Sequence, residues 1–244
     1  MALRPRGEGT PLFCVHPAGG EATGFRHLAA CPELRGPLYA FQASADGADH
    51  EDRSVEALAA RYLAAVRAVA PTGPYLLLGW SMGGLVAVEM ARLLELRGER
   101  AEMVFLVESY LRAQLPEFDE FDEDDEDDED DEDDEDDERE KPGPVAAEEG
   151  MSAAESLRLD LRRRTNRVHL RAARAYRPSR YAGPVALVQA DKQDEDFRRT
   201  AIRSWFCVCA PTLLTHHVLE GDHLTLFEPP YVTELARLID RMTR

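Results

Sequence analysis

The run "YLLLGWSMGGLVAVEMARLL", residues 75–94, constrains the fold more than any other part of the chain. Its first six residues form the continuous apolar pattern of a buried strand, and its second half repeats apolar residues at helical spacing. Glycines stand two positions before and two positions after the only serine of the run, Ser81, where they permit a very sharp turn. A strand, a tight turn and a helix within twenty residues predict one unit of an α/β fold.

Strand-like and helix-like runs alternate along the rest of the chain. The strands are predicted at Leu12–His16, Leu38–Gln42, Tyr75–Trp80, Met103–Glu108, Val185–Ala190 and Leu213–Leu219. The helices are predicted at Val55–Val69, Gly83–Arg97, Ala154–Tyr176 and Pro230–Met242. This alternation predicts an α/β domain with a mostly parallel central sheet and helices on both faces. Ligands bind at the carboxyl ends of the strands in such folds, so we expect the chemistry at that edge.

One segment interrupts the alternation. Residues 117–140 contain 21 Asp and Glu and a single Arg, and they account for nearly all of the net charge of −18. Such a tract cannot bury apolar area, and we predict that it is a disordered insertion. An arginine-rich helix pattern follows it. We interpret residues 111–176 as a lid inserted into a single domain that spans residues 1–244.

The pattern around Ser81 is typical of a nucleophile. "GWSMG" fits G-x-S-x-G, in which a strained strand-to-helix turn presents the serine hydroxyl at the edge of the sheet. The backbone N–H of Met82, at the start of the helix, is then free to stabilise an oxyanion. A second donor is expected from a loop after an earlier strand, and "FCVHPAGG" supplies the N–H of Ala18.

A serine nucleophile requires a base. The histidine of this arrangement follows the last strand, where "VLEGDHLTLFEPP" places His223. His16 lies at a strand end before the glycine loop, and we interpret it as a structural histidine bonded to backbone. The base in turn requires an acid to orient it. Glu108 and Asp191 each end a strand, and the residues alone leave both open.

The segments "FCVHPAGG", "GPYLLLGWSMGGLVAVEMARLL", "AYRPSRYAGPVALVQA" and "LEGDHLTLFEPPYVTELARLI" carry a resemblance to a known family. In this order they resemble the type I thioesterase domain that terminates nonribosomal peptide and polyketide synthases. The resemblance covers nearly the whole chain except the acidic tract. Stand-alone proofreading thioesterases more often have a histidine where this chain has Trp80.

The resemblance implies an α/β-hydrolase fold with a helical lid, and a Ser81–His223–acid triad. It implies Glu108 as the acid, with Asp191 as the second candidate. The family usually has aspartate at this position, so Glu108 is a departure. It also implies that Ser81 takes an acyl or peptidyl chain from the phosphopantetheine thioester of an upstream carrier protein. The chain would then be released by hydrolysis or by cyclisation.

Three functions other than chain release from a carrier protein are also compatible with the sequence. They are a stand-alone editing thioesterase, a carboxylesterase for small oxygen esters, and an inactive α/β-hydrolase fold that acts as a binding module. For the acidic tract, we hypothesise a contact with the arginines of the following helix. The same arginines could instead bind an acidic carrier protein or acyl chain, and the tract could merely increase solubility.

Several classes of partner are disfavoured by the sequence. The acidic tract would repel nucleic acid, and no platform of alternating basic and aromatic residues is present. The four cysteines have no metal-ligand spacing, so no metal is expected. The resemblance implies no bound cofactor, because the phosphopantetheine belongs to the carrier protein. No apolar stretch is long enough to cross a membrane, and we expect a cytoplasmic protein.

Overall fold

The computed structural model describes residues 1–43, 54–111 and 152–244. Their seven strands form one sheet in the order β1-β3-β2-β4-β5-β6-β7. Only β1 is antiparallel to its neighbour, so the predicted α/β architecture with a mostly parallel sheet is confirmed. The predicted acidic tract, 117–140, and residues 112–151 of the predicted lid lie outside the described residues.

All ten predicted elements are present, with small changes at their ends. The strands are β1 (Ala2–Arg4), β2 (Leu12–Val15), β3 (Leu38–Ala40), β4 (Tyr75–Trp80), β5 (Ala101–Val107), β6 (Val185–Ala190) and β7 (Leu214–Leu219). The helices are α1 (Arg26–Ala30), α2 (Val55–Val69), α3 (Gly83–Glu95), α4 (Ala153–Ala175), α5 (Glu195–Phe206) and α6 (Val232–Met242). The sequence prediction missed β1, α1 and α5.

The core has two parts, one on each face of the sheet. Helices α2 and α3 and the ends of α4 and α5 cover one face, and α1 and α6 cover the other. Strands β2, β4 and β6 are buried along their whole length, as continuous apolar runs such as "YLLLGW" require. Ala172, Ala173 and Tyr176 belong to the first core, so the end of the helix assigned to the lid packs against the sheet domain.

The strand register brings five loops to one edge of the sheet. Val15 pairs with Gly79, Trp80 pairs with Val107, and Ala190 pairs with Leu219. The parallel strands therefore end at nearly the same level. The residues that follow β2, β4, β5, β6 and β7 consequently emerge side by side, which is the edge where the sequence predicts the chemistry.

Candidate active site

Ser81 occupies the turn between β4 and α3 in a left-handed conformation, with φ of 53°. Its N–H donates to the carbonyl of Val107 at 2.9 Å, which ties the turn to the neighbouring strand. A Cβ on Gly79 would overlap the carbonyl of Gly83, and one on Gly83 would lie 2.5 Å from the His16 carbonyl oxygen. The predicted need for glycine at both positions is therefore confirmed.

Glu108 follows β5 in the same left-handed region, with φ of 51°. It and Ser81 are the two non-glycine residues with positive φ in the described ranges. That conformation is costly for a residue with a Cβ, and such positions concentrate at functional sites. The Glu108 side chain is nearly fully buried, with 3% of its surface exposed.

Three donors surround the Glu108 carboxylate. Oε1 accepts from the backbone N–H of Ala190 at 2.7 Å, and Oε2 accepts from the side-chain amide of Gln193 at 2.8 Å. Nδ1 of His223 lies 3.3 Å from Oε2. Burial alone raises the pKa of Glu108, but the hydrogen bonds from His223, Ala190 and Gln193 outweigh it and leave the pKa below its usual value. The carboxyl group is therefore ionised at neutral pH.

His223 lies in the loop after β7, with a third of its side chain exposed. The indole Nε1 of Trp80 donates to the His223 carbonyl at 3.1 Å, so the residue before the serine holds the histidine loop. The Asp222 carboxylate accepts from the N–H groups of Leu224 and Thr225, each at 3.0 Å, and closes the turn on the other side. These contacts leave the imidazole facing Glu108 and partly open to solvent.

Asp191, the second candidate for the acid, has a different partner. Its Oδ1 accepts from the N–H of Gly221 at 2.9 Å, and the residue is exposed. The structure therefore brings Glu108 to His223 and uses Asp191 to hold the loop that carries the histidine. The Glu108 side chain is one methylene longer than aspartate, and its carboxylate nevertheless lies within reach of the imidazole.

Of the two predicted oxyanion donors, Ala18 lies in the loop after β2 and Met82 lies at the N-terminus of α3. Ala18 and Met82 are both buried, and in the described part of the chain neither backbone N–H donates to a protein acceptor. Among the same residues, no hydrogen bond joins Ser81 to His223. Such bonds often tighten only when substrate is bound, so their absence does not argue against a nucleophile–base pair.

His16 has the structural contacts that its position at a strand end predicts. It is fully buried, with Nδ1 2.8 Å from the Pro17 carbonyl oxygen and Nε2 2.6 Å from the Tyr62 hydroxyl. Burial, followed by the neighbouring His169, lowers the pKa of His16 to about 3. Its imidazole is therefore neutral and committed to two protein partners.

Two contact residues were not predicted from the sequence: Gln193, which donates to Glu108, and Tyr62, which bonds to His16. Neither has a local signal, because each meets its partner through the packing of distant elements.

Within residues 1–43, 54–111 and 152–244, no group of three or more His, Cys, Asp or Glu side chains could hold a metal ion. None of the helices in these ranges is long and apolar enough to cross a bilayer.

The profile of the thioesterase domain family matches residues 10–243. A dimodular nonribosomal peptide synthase of Bacillus subtilis strain 168 is 38% identical over 117 residues, which are 48% of this chain and 5% of that protein. A non-reducing polyketide synthase of Aspergillus ustus is 36% identical over 115 residues, 47% of this chain and 6% of that protein. The aligned segments are thus small parts of much longer relatives.

Solved structures of similar fold include thioesterase domains. The NocB thioesterase domain from the nocardicin cluster has a TM-score of 0.71 at 24% identity and covers 98% of this chain and 95% of its own. The Vlm2 thioesterase domain, solved with a bound dodecadepsipeptide, has a TM-score of 0.69 at 20% identity and covers 99% and 96%. These similarities confirm the α/β-hydrolase fold.

Proposed function

The chain belongs to the thioesterase domain family, of the kind found in nonribosomal peptide and polyketide synthases, and on that premise we propose that it releases acyl or peptidyl chains from a carrier protein. The observation that carries the proposal is the contact between His223 and the buried, ionised Glu108 at the sheet edge where the strained turn presents Ser81. Ser81, Glu108 and His223 follow β4, β5 and β7 at one edge of the sheet, and acyl transfer of this kind uses such a nucleophile, acid and base.

The first half of the proposed reaction acylates the serine. His223 accepts the proton of the Ser81 hydroxyl while the oxygen attacks the thioester carbonyl carbon. Glu108 stabilises the imidazolium that forms and keeps Nδ1 protonated, so that Nε2 is the atom that takes the proton. The N–H groups of Ala18 and Met82 stabilise the negative charge on the carbonyl oxygen. His223 then returns the proton to the departing thiol, which leaves as free phosphopantetheine thiol on the carrier.

The second half frees the chain. A water molecule, or a nucleophile within the chain itself, attacks the acyl–Ser81 ester and gives up a proton to His223. The tetrahedral intermediate collapses, His223 returns the proton to the Ser81 oxygen, and the product leaves as an acid or a ring. Both routes use the same protein groups, so the product mass distinguishes hydrolysis from cyclisation.

The proposed substrate, an acyl or peptidyl chain, and the proposed carrier-protein partner rest on the family and not on a contact in this structure. Relatives that contain the matching segment are multidomain synthases, and a four-domain nonribosomal peptide synthetase contains a domain of the same fold, with a TM-score of 0.72 at 22% identity. A carrier domain that presents its substrate on phosphopantetheine is therefore the proposed partner. The thioesterase itself supplies side chains and backbone donors only.

The test is release of free thiol from an acyl-pantetheine thioester and from the same acyl group on a carrier protein. We expect turnover by the wild type, background rates for Ser81→Ala, and wild-type rates for Ser179→Ala, an exposed serine away from the site. Equal rates for the wild type and Ser81→Ala would contradict the proposal. Preference for oxygen esters would favour a carboxylesterase, preference for short acyl groups an editing thioesterase, and complete inactivity a binding module.

A further inference from the structure

The peptide unit that joins Pro17 to Ala18 contains the proposed oxyanion donor, and its other end is tightly held. A trans peptide is planar, so its C=O and N–H point in opposite directions. Whatever fixes the Pro17 carbonyl therefore also aims the Ala18 N–H. That carbonyl oxygen accepts two hydrogen bonds, from Nδ1 of His16 at 2.8 Å and from the N–H of Gly20 at 2.9 Å.

The tautomer of His16 follows from its two partners. A carbonyl oxygen can only accept, so Nδ1 of His16 carries the proton that is donated to Pro17. Nε2 is then unprotonated and accepts from the Tyr62 hydroxyl at 2.6 Å. Both side chains are buried, His16 fully and Tyr62 with 3% of its surface exposed, so the hydrogen bond between them is shielded from solvent. Tyr62, which lies on α2, thereby stabilises the tautomer that the Pro17 carbonyl selects.

A second imidazole holds the next peptide unit. Nδ1 of His169, on α4, lies 2.8 Å from the carbonyl oxygen of Ala18. The His169 ring is 1% exposed and stacks on His16, with ring centroids 5.2 Å apart and planes 19° apart. The peptide units on both sides of Ala18 are thus fixed by histidine N–H groups from different elements.

We propose that His16, held in place by its hydrogen bond with Tyr62, is a positioning residue that aims the Ala18 N–H at the oxyanion, and that His169 fixes the following peptide unit. Hydrogen bonds accepted by a peptide carbonyl also polarise its N–H, which strengthens the donor. This inference deepens the proposed function and rests on it. It gives the buried histidines a part in the rate of acyl transfer beyond their contribution to stability.

Two amide substitutions at His16 separate this role from simple packing. The side-chain nitrogen of asparagine can occupy the place of Nδ1, whereas that of glutamine reaches toward the place of Nε2 and cannot donate to Pro17. Removing one oxyanion donor costs about 10²–10³ in kcat, so we expect His16→Gln to lose about 100-fold and His16→Asn to lose less than about 10-fold. KM should change little in both.

Tyr62→Phe is the second variant, and its matched control is Tyr75→Phe. Tyr75 is also a buried tyrosine, but its hydroxyl bonds Pro71 and Glu99 at the opposite end of β4. We expect Tyr62→Phe to lower kcat by about 10-fold and Tyr75→Phe to leave it unchanged, since only Tyr62 is linked to the oxyanion loop. Affinity for a trifluoromethyl ketone, which forms a tetrahedral adduct with an oxyanion, should fall in parallel with kcat.

Three results have distinct meanings. If His16→Gln, His16→Asn and Tyr62→Phe all keep wild-type kcat and ketone affinity, or if Asn and Gln lose the same activity, the positioning role is wrong. If the wild type reacts with a fluorophosphonate at Ser81 but turns over no thioester, the proposed function fails, and the labelling rates of the same variants still test the positioning role. If Ser81 is not labelled at all, both are overturned.

Discussion

At the scale of single residues, Glu108 is defined by its surroundings. Its carboxylate accepts from a main-chain N–H and a side-chain amide, both shorter than 3 Å, and lies 3.3 Å from Nδ1 of His223. The two shorter bonds fix the orientation of the carboxylate, so that one oxygen remains directed at the imidazole. This environment accommodates glutamate where the resemblance leads one to expect aspartate.

We predict that Glu108→Gln lowers kcat by about 10³–10⁴-fold, because an amide can present its NH₂ to Nδ1 and favour the wrong imidazole tautomer. Asp191→Asn is the matched control. The asparagine oxygen can still accept from the Gly221 N–H, so most of the activity should remain. Steady-state thioester kinetics on both variants is the measurement. A larger loss for Asp191→Asn than for Glu108→Gln would make Asp191 the acid.

The residues of the candidate site differ in how far the sequence predicts them. Ser81 and His223 are predictable because each belongs to a local pattern whose turn geometry requires particular neighbours. Glu108 and Asp191 both end strands, and only the packed structure assigns one to the imidazole and the other to Gly221. Gln193 has no local pattern, because its role depends on where the loop after β6 meets β5.

At the scale of elements, a buried carboxylate joins α3 to the end of α4. Glu89 on α3 is 2% exposed and accepts from Nε of Arg92 at 2.8 Å and from the Tyr176 hydroxyl at 2.9 Å. Burial, followed by the charge of Glu89, raises the pKa of Tyr176, so its hydroxyl keeps the proton that it donates. This contact fixes α3, which begins directly after the Ser81 turn, against α4, which carries His169.

Arg92→Met should destabilise the protein by about 3 kcal/mol, because it leaves the buried Glu89 carboxylate without its cationic partner. The matched control is Arg199→Met. The Arg199–Glu195 pair is exposed on both sides, so its loss should cost less than about 0.5 kcal/mol. Urea unfolding of the two variants measures both effects. Equal stability losses would mean that the buried Arg92–Glu89 pair contributes no more than an exposed pair.

The elements that were not predicted have physical reasons for their weak signal. Helix α5 begins in the polar run "DKQDED", where the carboxylate of Asp194 accepts from the N–H groups of Asp196 and Phe197. This N-cap is easily mistaken for a loop because its residues are also turn formers. Strand β1 has three residues and exists only through its pairing with β3, which lies more than thirty residues away. Long, strongly patterned elements such as β4 and α3 were predictable from the sequence.

At the scale of the whole molecule, charge is distributed very unevenly. The net charge of −18 is concentrated in residues 117–140, and seven exposed arginines lie on α4. They are Arg158, Arg162, Arg163, Arg164, Arg167, Arg171 and Arg174. Individual exposed charge pairs contribute little, and salt screens them further.

We predict that deletion of residues 119–138 leaves the thermal midpoint and the turnover of an acyl-pantetheine unchanged, because an acidic tract of this composition cannot contribute to a hydrophobic core. Turnover measured at low and high salt tests the hypothesis of a contact between the tract and α4. An altered salt dependence after deletion would support that contact. Loss of the folded state would contradict the prediction and make the tract part of the domain.

The most direct test of the central claim is the intact mass of the protein during reaction with an acyl-pantetheine thioester. We expect the wild type and Glu108→Gln to gain the mass of the acyl group, with the adduct mapped to Ser81 and longer-lived in the variant because deacylation also needs the oriented histidine. Ser81→Ala should gain nothing. Turnover by Ser81→Ala at the wild-type rate, or an acyl adduct that persists in Ser81→Ala, would contradict the account.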